Sequence, residues 1–330
     1  MGARLGHLMG RAVVVIRGGA LGDHVLSLPI AAQLRRHHAG CPLIWIGHRS
    51  RGRLARPDHL EDADGIIGRA LYGSSTEDLP HRIRSARLIL IYASQGESVA
   101  LRLRGVCQGK VVNWDPRPLE ARPPDPQPLA LQPPPAPTDR HAVEHLVEPL
   151  FGAGTMPSLE ELAPRFMPAA HETTCAQQQW TRLGVNPRNV VLIHAGSGGK
   201  DKCWPVDRFV ALGRELERAG HSIVCLGGPI EAESSQHFDG LRRWPSIAAE
   251  DPIRLAALLA SVRYLIGNDS GPGHLAAAVG TPTLSLFGPT DPGRWRPLGP
   301  RAVVVRSPTA SMCDLDVDVV LATALHRLND

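Results

Sequence analysis

Short apolar runs that alternate with helix-like spacing recur along the whole chain. The runs are rich in valine, isoleucine and leucine, and glycine or proline follows most of them. Strands are predicted at 12–16, 43–47, 88–92, 111–112, 190–193, 222–226, 263–266 and 283–287. Helices are predicted at 23–38, 206–219, 252–261, 273–279 and 314–328. Because the strands are apolar on both faces and alternate with helices, they predict parallel α/β sheets that helices cover on both sides.

Length and one proline-rich segment define two predicted domains. At roughly 150 residues per domain, a chain of 330 residues predicts two. We place the boundary near Arg165, which gives domains at 1–165 and 166–330, and the second domain ends in the helix 314–328. Ten prolines occur within 116–137, and such a stretch forms neither a helix nor an inner strand. This segment is predicted to be an extended surface loop of the first domain.

Composition narrows the class of protein. The chain is 43% hydrophobic and 21% charged, with 33 glycines and 30 prolines, which favours an α/β protein over a coiled coil or helical bundle. No apolar stretch reaches the ~18–20 residues of a membrane span, and residues 1–11 lack the apolar core of a secretory signal. The six cysteines are scattered without a C-x-x-C pair, which predicts a cytoplasmic protein without a disulfide framework or zinc site.

The distribution of positive charge directs attention to one loop. A net charge of +4 is too small to indicate nucleic-acid binding, although it suits an anionic small molecule or membrane surface. Only Lys110, Lys200 and Lys202 are lysines, and two of them lie in the loop 194–205 together with Ser197. Hydroxyl, N–H and ammonium donors after a strand fit a diphosphate. A solvated flexible loop is the alternative interpretation.

Asp23 ends a glycine-rich turn, residues 17–24, after the first predicted strand. A carboxylate at the start of a helix is most often an N-cap. At the carboxyl end of a parallel strand it can instead serve as a general base. A positive helix end stabilises the ionised carboxylate and so weakens it as a base, which makes the two interpretations compete. The residues alone leave both open.

Two further turns follow predicted strands in the second half. Glu231, within 227–233, can accept hydrogen bonds from ribose hydroxyls, or it can be an ordinary acid in a first helical turn. Residues 267–278 run from a strand into an alanine-rich helix whose exposed N–H groups form an anion site. Asp269 and Ser270 either line that site or cap the helix. His274 either binds phosphate or packs at the helix start.

Five motifs occur in a fixed order along the chain. They are GALGD at 19–23 with Leu28 and Pro29 behind it, KCWP at 202–205, LGGP at 226–229, GNDSGPGHLAA at 267–277 and LFGPTDP at 286–292. Each alone is loose, but five in order are specific. The chain resembles glycosyltransferase family 9, the heptosyltransferase family of lipopolysaccharide core assembly. The resemblance spans most of the chain and is densest after residue 190.

The resemblance implies a GT-B fold, in which two Rossmann-like parallel-sheet domains face a cleft. The N-terminal domain would hold the acceptor and the C-terminal domain the nucleotide-sugar donor. Transfer in this family inverts the anomeric configuration in a single displacement, without a metal or another cofactor. By position, Asp23 matches the general base, Lys202 the cation against the donor phosphates, and Glu231 the ribose contact. Asp269 matches a residue that reaches the donor sugar, Ser270, Gly271 and His274 match the phosphate-binding turn, and Ser197 is a further donor-binding candidate.

The family also implies the partners. The expected donor is an ADP-sugar, ADP-heptose in particular, and the expected acceptor is a glycan or glycolipid of the lipopolysaccharide type. A lipid acceptor implies peripheral contact with the cytoplasmic face of the inner membrane. Acceptor specificity is expected in the first domain, where residues 49–137 carry no family motif. The acceptor therefore stays open.

Two other functions remain as alternatives. One is a non-catalytic nucleotide-sugar-binding protein, in which Asp23 only caps its helix. The other is an NADP-dependent oxidoreductase, in which Arg49 and Arg51 bind the 2′-phosphate. The dinucleotide fingerprint is incomplete, because Arg17 stands where its first glycine is required.

Overall fold

The computed structural model describes residues 11–73, 77–117, 140–152, 154–227, 235–248 and 250–329. Two predictions concern residues outside these ranges, namely Glu231 and residues 118–137 of the proline-rich segment. The chain divides into two compact units, Met1–Leu162 and Ala163–Asp330. Each unit contains one parallel sheet.

The N-terminal unit is built on a five-stranded sheet. Its strands are β1 (Val13–Arg17), β2 (Leu43–Gly47), β3 (His59–Asp62), β4 (Leu88–Tyr92) and β5 (Lys110–Trp114). Its helices are α1 (Leu21–Leu26), α2 (Leu28–His37), α3 (Ile66–Tyr72), α4 (His81–Arg84), α5 (Glu97–Val106) and α6 (Ala142–Phe151). The strands pair in parallel in the order β3-β2-β1-β4-β5. The connections change direction between β1 and β4, the place where parallel α/β sheets bind ligands.

Burial on both faces explains the unbroken apolar runs of the first sheet. Every residue of β1 and β2 is buried. Val14, Ile44 and Ile89 from three adjacent strands belong to one hydrophobic cluster under the helices. A strand that is covered on both sides cannot alternate apolar and polar residues, which is why its sequence reads as continuously hydrophobic.

Ser27 separates α1 from α2, so the prediction of one helix over 23–38 is wrong. Pro29 is in the first turn of α2, where its missing N–H interrupts no helical hydrogen bond. The N–H of Ser27 donates to the carbonyl of Asp23 at 3.2 Å and closes α1. Asp23 is consequently the third residue of a short helix that begins at Leu21. The helix has Ala20 as its N-cap, so the alternative that made Asp23 the N-cap is wrong in position.

The C-terminal unit is built on a six-stranded sheet. Its strands are β6 (Val190–His194), β7 (Ser222–Gly227), β8 (Ser246–Ala248), β9 (Tyr264–Asn268), β10 (Thr283–Phe287) and β11 (Ala302–Arg306). Its helices are α7 (Ala170–Leu183), α8 (Val206–Arg218), α9 (Pro252–Leu259), α10 (Gly271–Ala278), α11 (Pro292–Trp295) and α12 (Val317–Asn329). The strands pair in parallel in the order β11-β10-β9-β6-β7-β8. The change of direction falls between β6 and β9.

Helix α8 of the C-terminal unit packs through one apolar face. Phe209, Leu212 and Leu216 of α8 recur at helical spacing and are fully buried. Trp204, just before α8, is also fully buried and meets the Phe209 ring edge-on at a centroid distance of 4.9 Å.

Among the residues that the structure describes, no helix has the length and apolar character needed to cross a membrane.

Several element boundaries in the C-terminal unit differ from the sequence prediction by one to three residues. The last helix begins at Val317 rather than at 314, because Met312–Asp314 form a 3₁₀ turn that the hydroxyl of Ser311 caps. Strand β9 continues two residues beyond the predicted 263–266 and ends at Asn268. This extension makes Asn268 a buried member of the sheet and places Asp269 directly at its carboxyl edge.

Candidate functional site

Both carboxylate oxygens of Asp23 are engaged. Oδ2 accepts a hydrogen bond from the backbone N–H of Ala20 at 2.8 Å, and Oδ1 accepts one from Nη2 of Arg17 at 3.0 Å. The first bond satisfies an N–H at the start of α1, as an acid at the third helical position commonly does. The Asp23 side chain is nevertheless 41% exposed. The carboxylate is therefore fixed in position and accessible at the same time.

The turn that carries Asp23 requires glycine at position 19. Gly19 has φ +106°, and a Cβ there would lie 2.6 Å from Oδ2 of Asp23. Both the backbone conformation and the lack of space exclude a larger residue. From the other side, Nη1 of Arg51 donates to the carbonyl of Gly19 at 2.9 Å. Arg51, a candidate for a 2′-phosphate contact in the oxidoreductase alternative, thus helps to hold this turn.

Arg17 is the last residue of β1 and is 5% exposed. Its Nε donates to Oγ of Ser27 at 3.1 Å, and that hydroxyl donates to the Asp23 carbonyl at 2.7 Å. Burial lowers the pKa of Arg17 from its ordinary value, and the Asp23 carboxylate acts in the opposite direction. A buried guanidinium is costly unless a counter-charge faces it. Asp23 supplies this counter-charge.

His24 lies beside this ion pair and is 2% exposed. Neither ring nitrogen has a hydrogen-bond partner among the described residues. Its ring centroid is 6.4 Å from that of Trp45. Burial, followed by the positive charges of Arg17 and Arg51, lowers the pKa of His24 to about 3. The imidazole is therefore neutral around physiological pH.

Asp269 is the central charge of the C-terminal unit's candidate site. Its Oδ2 accepts hydrogen bonds from Nζ of Lys202 at 3.0 Å and from Oγ1 of Thr290 at 2.9 Å. Its Oδ1 lies 4.0 Å from Nε2 of His274. The Asp269 side chain is 7% exposed and that of Lys202 33%. Lys202 has three N–H donors, so it can hold Asp269 with one and offer others to a ligand.

Asn268, one residue earlier, joins the same loops through its amide. Nδ2 donates to the carbonyl of Ala195 at 2.6 Å, and Oδ1 accepts from the N–H of Trp204 at 3.0 Å. The hydroxyl of Ser197 donates to the carbonyl of Asp269 at 2.7 Å. These bonds fix both ends of the segment between β6 and α8. Lys202 lies inside that segment and is held near the end of β9.

Ser270 and α10 provide donors next to Asp269. Ser270 is the N-cap residue of α10, yet its side chain makes no capping bond. Its Oγ is buried without a hydrogen-bond partner among the described residues. The helix begins at Gly271, and the first N–H groups of any α-helix have no acceptor inside the helix. The alternative that Asp269 and Ser270 serve as side-chain caps is wrong, because neither hydrogen-bonds to these N–H groups.

The structure brings together most of the residues that the sequence singled out. In the C-terminal unit, the candidate residues that cluster at the ends of β6 and β9 are Ser197, Lys202, Asp269, Ser270, Gly271 and His274. Asp23 belongs to the N-terminal unit, and Glu231 lies outside the described residues. Among the residues that the structure describes, no group of three or more His, Cys, Asp or Glu side chains could hold a metal ion. The clustered ammonium, hydroxyl and N–H donors suit an anion.

Three important residues were not predicted as site residues. Arg17 pairs with Asp23, Thr290 bonds to Asp269, and Asn268 joins Ala195 to Trp204. Each left a signal in the sequence. Arg17 is a charge at the end of an otherwise apolar strand, which requires a partner. Asn268 and Thr290 stand inside the motifs 267–277 and 286–292.

Solved structures with the same architecture define the class of fold. A glycosyltransferase family 9 structure from Veillonella parvula DSM 2008 has a TM-score of 0.73 at 18% identity and covers 98% of each chain. The Escherichia coli ADP-heptose lipopolysaccharide heptosyltransferase II has a TM-score of 0.71 at 19% identity, over 96% of this chain and 98% of that one. These similarities confirm the predicted fold class, two parallel-sheet α/β domains of the GT-B type.

Sequence comparison identifies the family. The model of glycosyltransferase family 9 (heptosyltransferase) matches residues 130–321, more than half of the chain. The chain belongs to glycosyltransferase family 9, as its five motifs predicted. Lipopolysaccharide heptosyltransferase 3 of Escherichia coli is 33% identical over 175 residues, which are 48% of this chain and 51% of that protein. The chain spans between a third and just over half of the length of the curated relatives it matches.

We predict that His24 does not titrate near neutral pH. Its C2-proton resonance, assigned by its loss in His24→Gln, should keep its neutral position down to about pH 4, because the pKa is lowered to about 3. The unfolded chain takes up this proton near pH 6.5, so the free energy of unfolding should fall between pH 6.5 and 3, by up to about 1.4 kcal/mol per pH unit. His24→Gln should remove this part of the pH dependence. A His24 resonance that titrates near pH 6 would contradict the prediction.

Proposed function

We propose that this chain is an inverting, metal-independent glycosyltransferase that moves heptose from ADP-heptose onto an acceptor of the lipopolysaccharide type. One observation carries the proposal. This chain belongs to the family, and its Lys202 ammonium is hydrogen-bonded to the buried Asp269. Asp269 lies two residues before Gly271, where α10 begins. The name of the Escherichia coli structure, an ADP-heptose heptosyltransferase, supports this choice of donor.

The donor site follows from the arrangement of donors in the C-terminal domain, 166–330. The diphosphate lies against Lys202, the Ser270 hydroxyl and the first N–H groups of α10, whose positive end favours an anion. His274 at 4.0 Å from Asp269 extends this set. Asp269 Oδ1 accepts a hydrogen bond from a hydroxyl of the donor sugar, while Oδ2 keeps its hydrogen bonds from Lys202 and Thr290. In this proposal, Glu231 accepts hydrogen bonds from the ribose hydroxyls of the donor.

Asp23 is the proposed general base in the N-terminal domain, 1–165. It accepts the proton of the attacking acceptor hydroxyl, whose oxygen forms a bond to the anomeric carbon of the heptose. The bond from that carbon to the diphosphate breaks, and its electron pair leaves with ADP. Attack opposite the leaving group inverts the configuration. The charge that develops on the diphosphate meets the preorganised ammonium and N–H donors, which stabilise it without a metal.

The acceptor in this proposal is a glycolipid, and contact with it occurs at the cytoplasmic face of the inner membrane. The arginines of the first domain fit phosphorylated groups on such a lipid. Arg49 and Arg53 are exposed near the turn that carries Asp23, since Arg51 between them bonds to Gly19. Guanidinium groups recognise phosphates through paired N–H donors.

A second candidate function, a non-catalytic binder of nucleotide-sugars, has one observation in its favour. Both oxygens of Asp23 are already engaged, one with the N–H of Ala20 and one with Arg17. Such an acid can be explained by its structural role alone. The two functions share the donor site and differ in what Asp23 does. Substitution of Asp23 therefore separates them.

Removal of the Lys202 ammonium should weaken ADP binding. One charge-assisted hydrogen bond contributes about 1.5–3 kcal/mol, so Lys202→Ala should raise the Kd for ADP about ten- to a hundredfold. Calorimetric titration measures this change. Lys200→Ala is the matched control, because Lys200 is exposed two residues away and should leave the Kd within about twofold. Equal losses in the two variants would mean that only the charge of the loop matters.

Substitution of Asp23 should slow transfer strongly and leave donor binding intact. Asp23→Asn keeps an acceptor for the N–H of Ala20 but cannot take up the proton, and a general base contributes about 10²–10⁴-fold in rate. We therefore expect a loss of this size in sugar transfer at an unchanged Kd for ADP. Thermal unfolding should accompany the assay, because Arg17 loses its counter-charge. Full transfer by a folded Asp23→Asn variant would favour the non-catalytic binder.

A further inference from the structure

A cavity of about 330 Å³ lies at the amino edge of the N-terminal sheet. The end of α2, the end of α6 and the first residues of β4 and β5 line it, and it is open to solvent on one side. Leu88, Lys110 and Leu150 are among the lining residues. Arg17 and Asp23 stand at the opposite, carboxyl edge of the same sheet. The cavity is therefore separate from the proposed base.

The backbone brings two long cations to the mouth of this cavity. Strands β4 and β5 are paired so that Leu88 faces Lys110, and the N–H of Lys110 donates to the carbonyl of Arg87 at 3.1 Å. A Cβ at Gly109 would lie 2.1 Å from the carbonyl oxygen of Ala86 and 2.4 Å from that of Arg87. Only glycine permits this close approach. It places Arg87, which directly precedes β4, next to Lys110, the first residue of β5.

All ionisable side chains that line the cavity are basic. Arg87, Lys110, His37 and His38 line it, and no acidic side chain is among its lining residues. Within the described part of the chain, neither Arg87 nor Lys110 forms an ion pair. Burial, followed by Arg87 and His37, lowers the pKa of His38. The two histidines also lie at the C-terminal end of α2, where the helix dipole favours positive charge. The dipole does not explain why Arg87 and Lys110 line the same cavity.

Two polar atoms inside the cavity wall lack partners. Gln33 is 7% exposed, and its Oε1 has no hydrogen-bond partner among the described residues. The same holds for Nδ1 of His38. Buried polar atoms are nearly always hydrogen-bonded, so each exception requires an explanation. Neither atom has accessible surface, so a ligand in the cavity reaches it only after the Gln33 or His38 side chain turns toward the cavity. A phosphate monoester beside a hydroxyl group then offers the donor and acceptor oxygens that the two atoms need.

We propose that this cavity binds a compact phosphate-bearing anion through Arg87, Lys110 and His38. The planar guanidinium supplies paired N–H donors to phosphate oxygens, and the ammonium supplies a compact charge beside them. The volume holds a phosphate together with a small polar group. The phosphate comes either from a soluble phosphate ester or from a lipid headgroup, which share this chemistry. The site does not depend on the proposed transfer reaction.

The chain contains only three lysines, so an NMR label on lysine reports on few sites. Reductive methylation with ¹³C-formaldehyde labels Lys110, Lys200 and Lys202, and single Lys→Arg variants assign their NMR resonances. Titration with inorganic phosphate should shift the Lys110 resonance saturably. Arg87→Gln should weaken this binding by about tenfold or more, the effect of one lost charge-assisted hydrogen bond. Arg84→Gln is the matched control, because Arg84 is exposed on α4 and does not line the cavity.

A second arm separates this site from the donor site and identifies the source of the phosphate. ADP should move the Lys202 resonance and leave that of Lys110 in place. Vesicles of phosphatidylcholine with phosphatidic acid should float the protein if the phosphate is a headgroup, and Arg87→Gln should then reduce flotation. Saturable phosphate binding without flotation assigns a soluble ester. A Lys110 resonance that does not saturate, or that responds equally in Arg87→Gln, would overturn the proposal.

Discussion

The hydrogen bonds of two adjacent residues, Asn268 and Asp269, organise the C-terminal site. Asn268 bonds to Ala195 and Trp204, and Asp269 receives Lys202 and Thr290. Two separate loops, the one between β6 and α8 and the one after β10, are thereby held at the end of β9. Because Asp269 is almost fully buried, its charge must be matched by a cation close by. The ion pair with Lys202 meets this requirement and at the same time fixes an ammonium group at the edge of the sheet.

The N-terminal unit uses the same physical device with the charges exchanged. There the buried charge is the cation Arg17 at the end of β1, and the more exposed partner is the acid Asp23. In both units the more accessible partner, Lys202 or Asp23, has a proposed role in the reaction. The buried partner fixes its position, and this limits the freedom of the exposed group. Preorganisation of this kind lets a donor or base act without reorganisation during the reaction.

Much of the fold could be predicted from the sequence, because strands covered on both faces leave unbroken apolar runs. β1, β2, β4 and β10 coincide with such runs or differ from them by one residue. The four-residue β3 was not predicted, since its residues are half-buried or exposed and show no comparable run. β11 was also missed, although Val303, Val304 and Val305 form an apolar run.

The sequence supplied the candidate residues of the site but not the contacts between them. The motifs pointed to Lys202, Asp269 and Ser270, yet the bond from Lys202 to Asp269 joins residues far apart in sequence. No spacing rule reveals such a pair. The exact position of Asp23 in α1 also depends on the helix break at Ser27. Pro29 indicates a break in this region but does not fix the residue at which it occurs. Local patterns therefore give candidates, whereas tertiary pairing decides which atoms of each remain accessible.

The most direct test of the central claim is the stereochemistry of transfer. The protein would be mixed with ADP-heptose and lipopolysaccharide that lacks its outer core sugars, in the presence of EDTA. NMR of the product and a parallel measurement of ADP follow the reaction. The account predicts one ADP released for each heptose transferred, with inverted anomeric configuration and no effect of EDTA. Retention of configuration, or loss of transfer when EDTA is added, would contradict it.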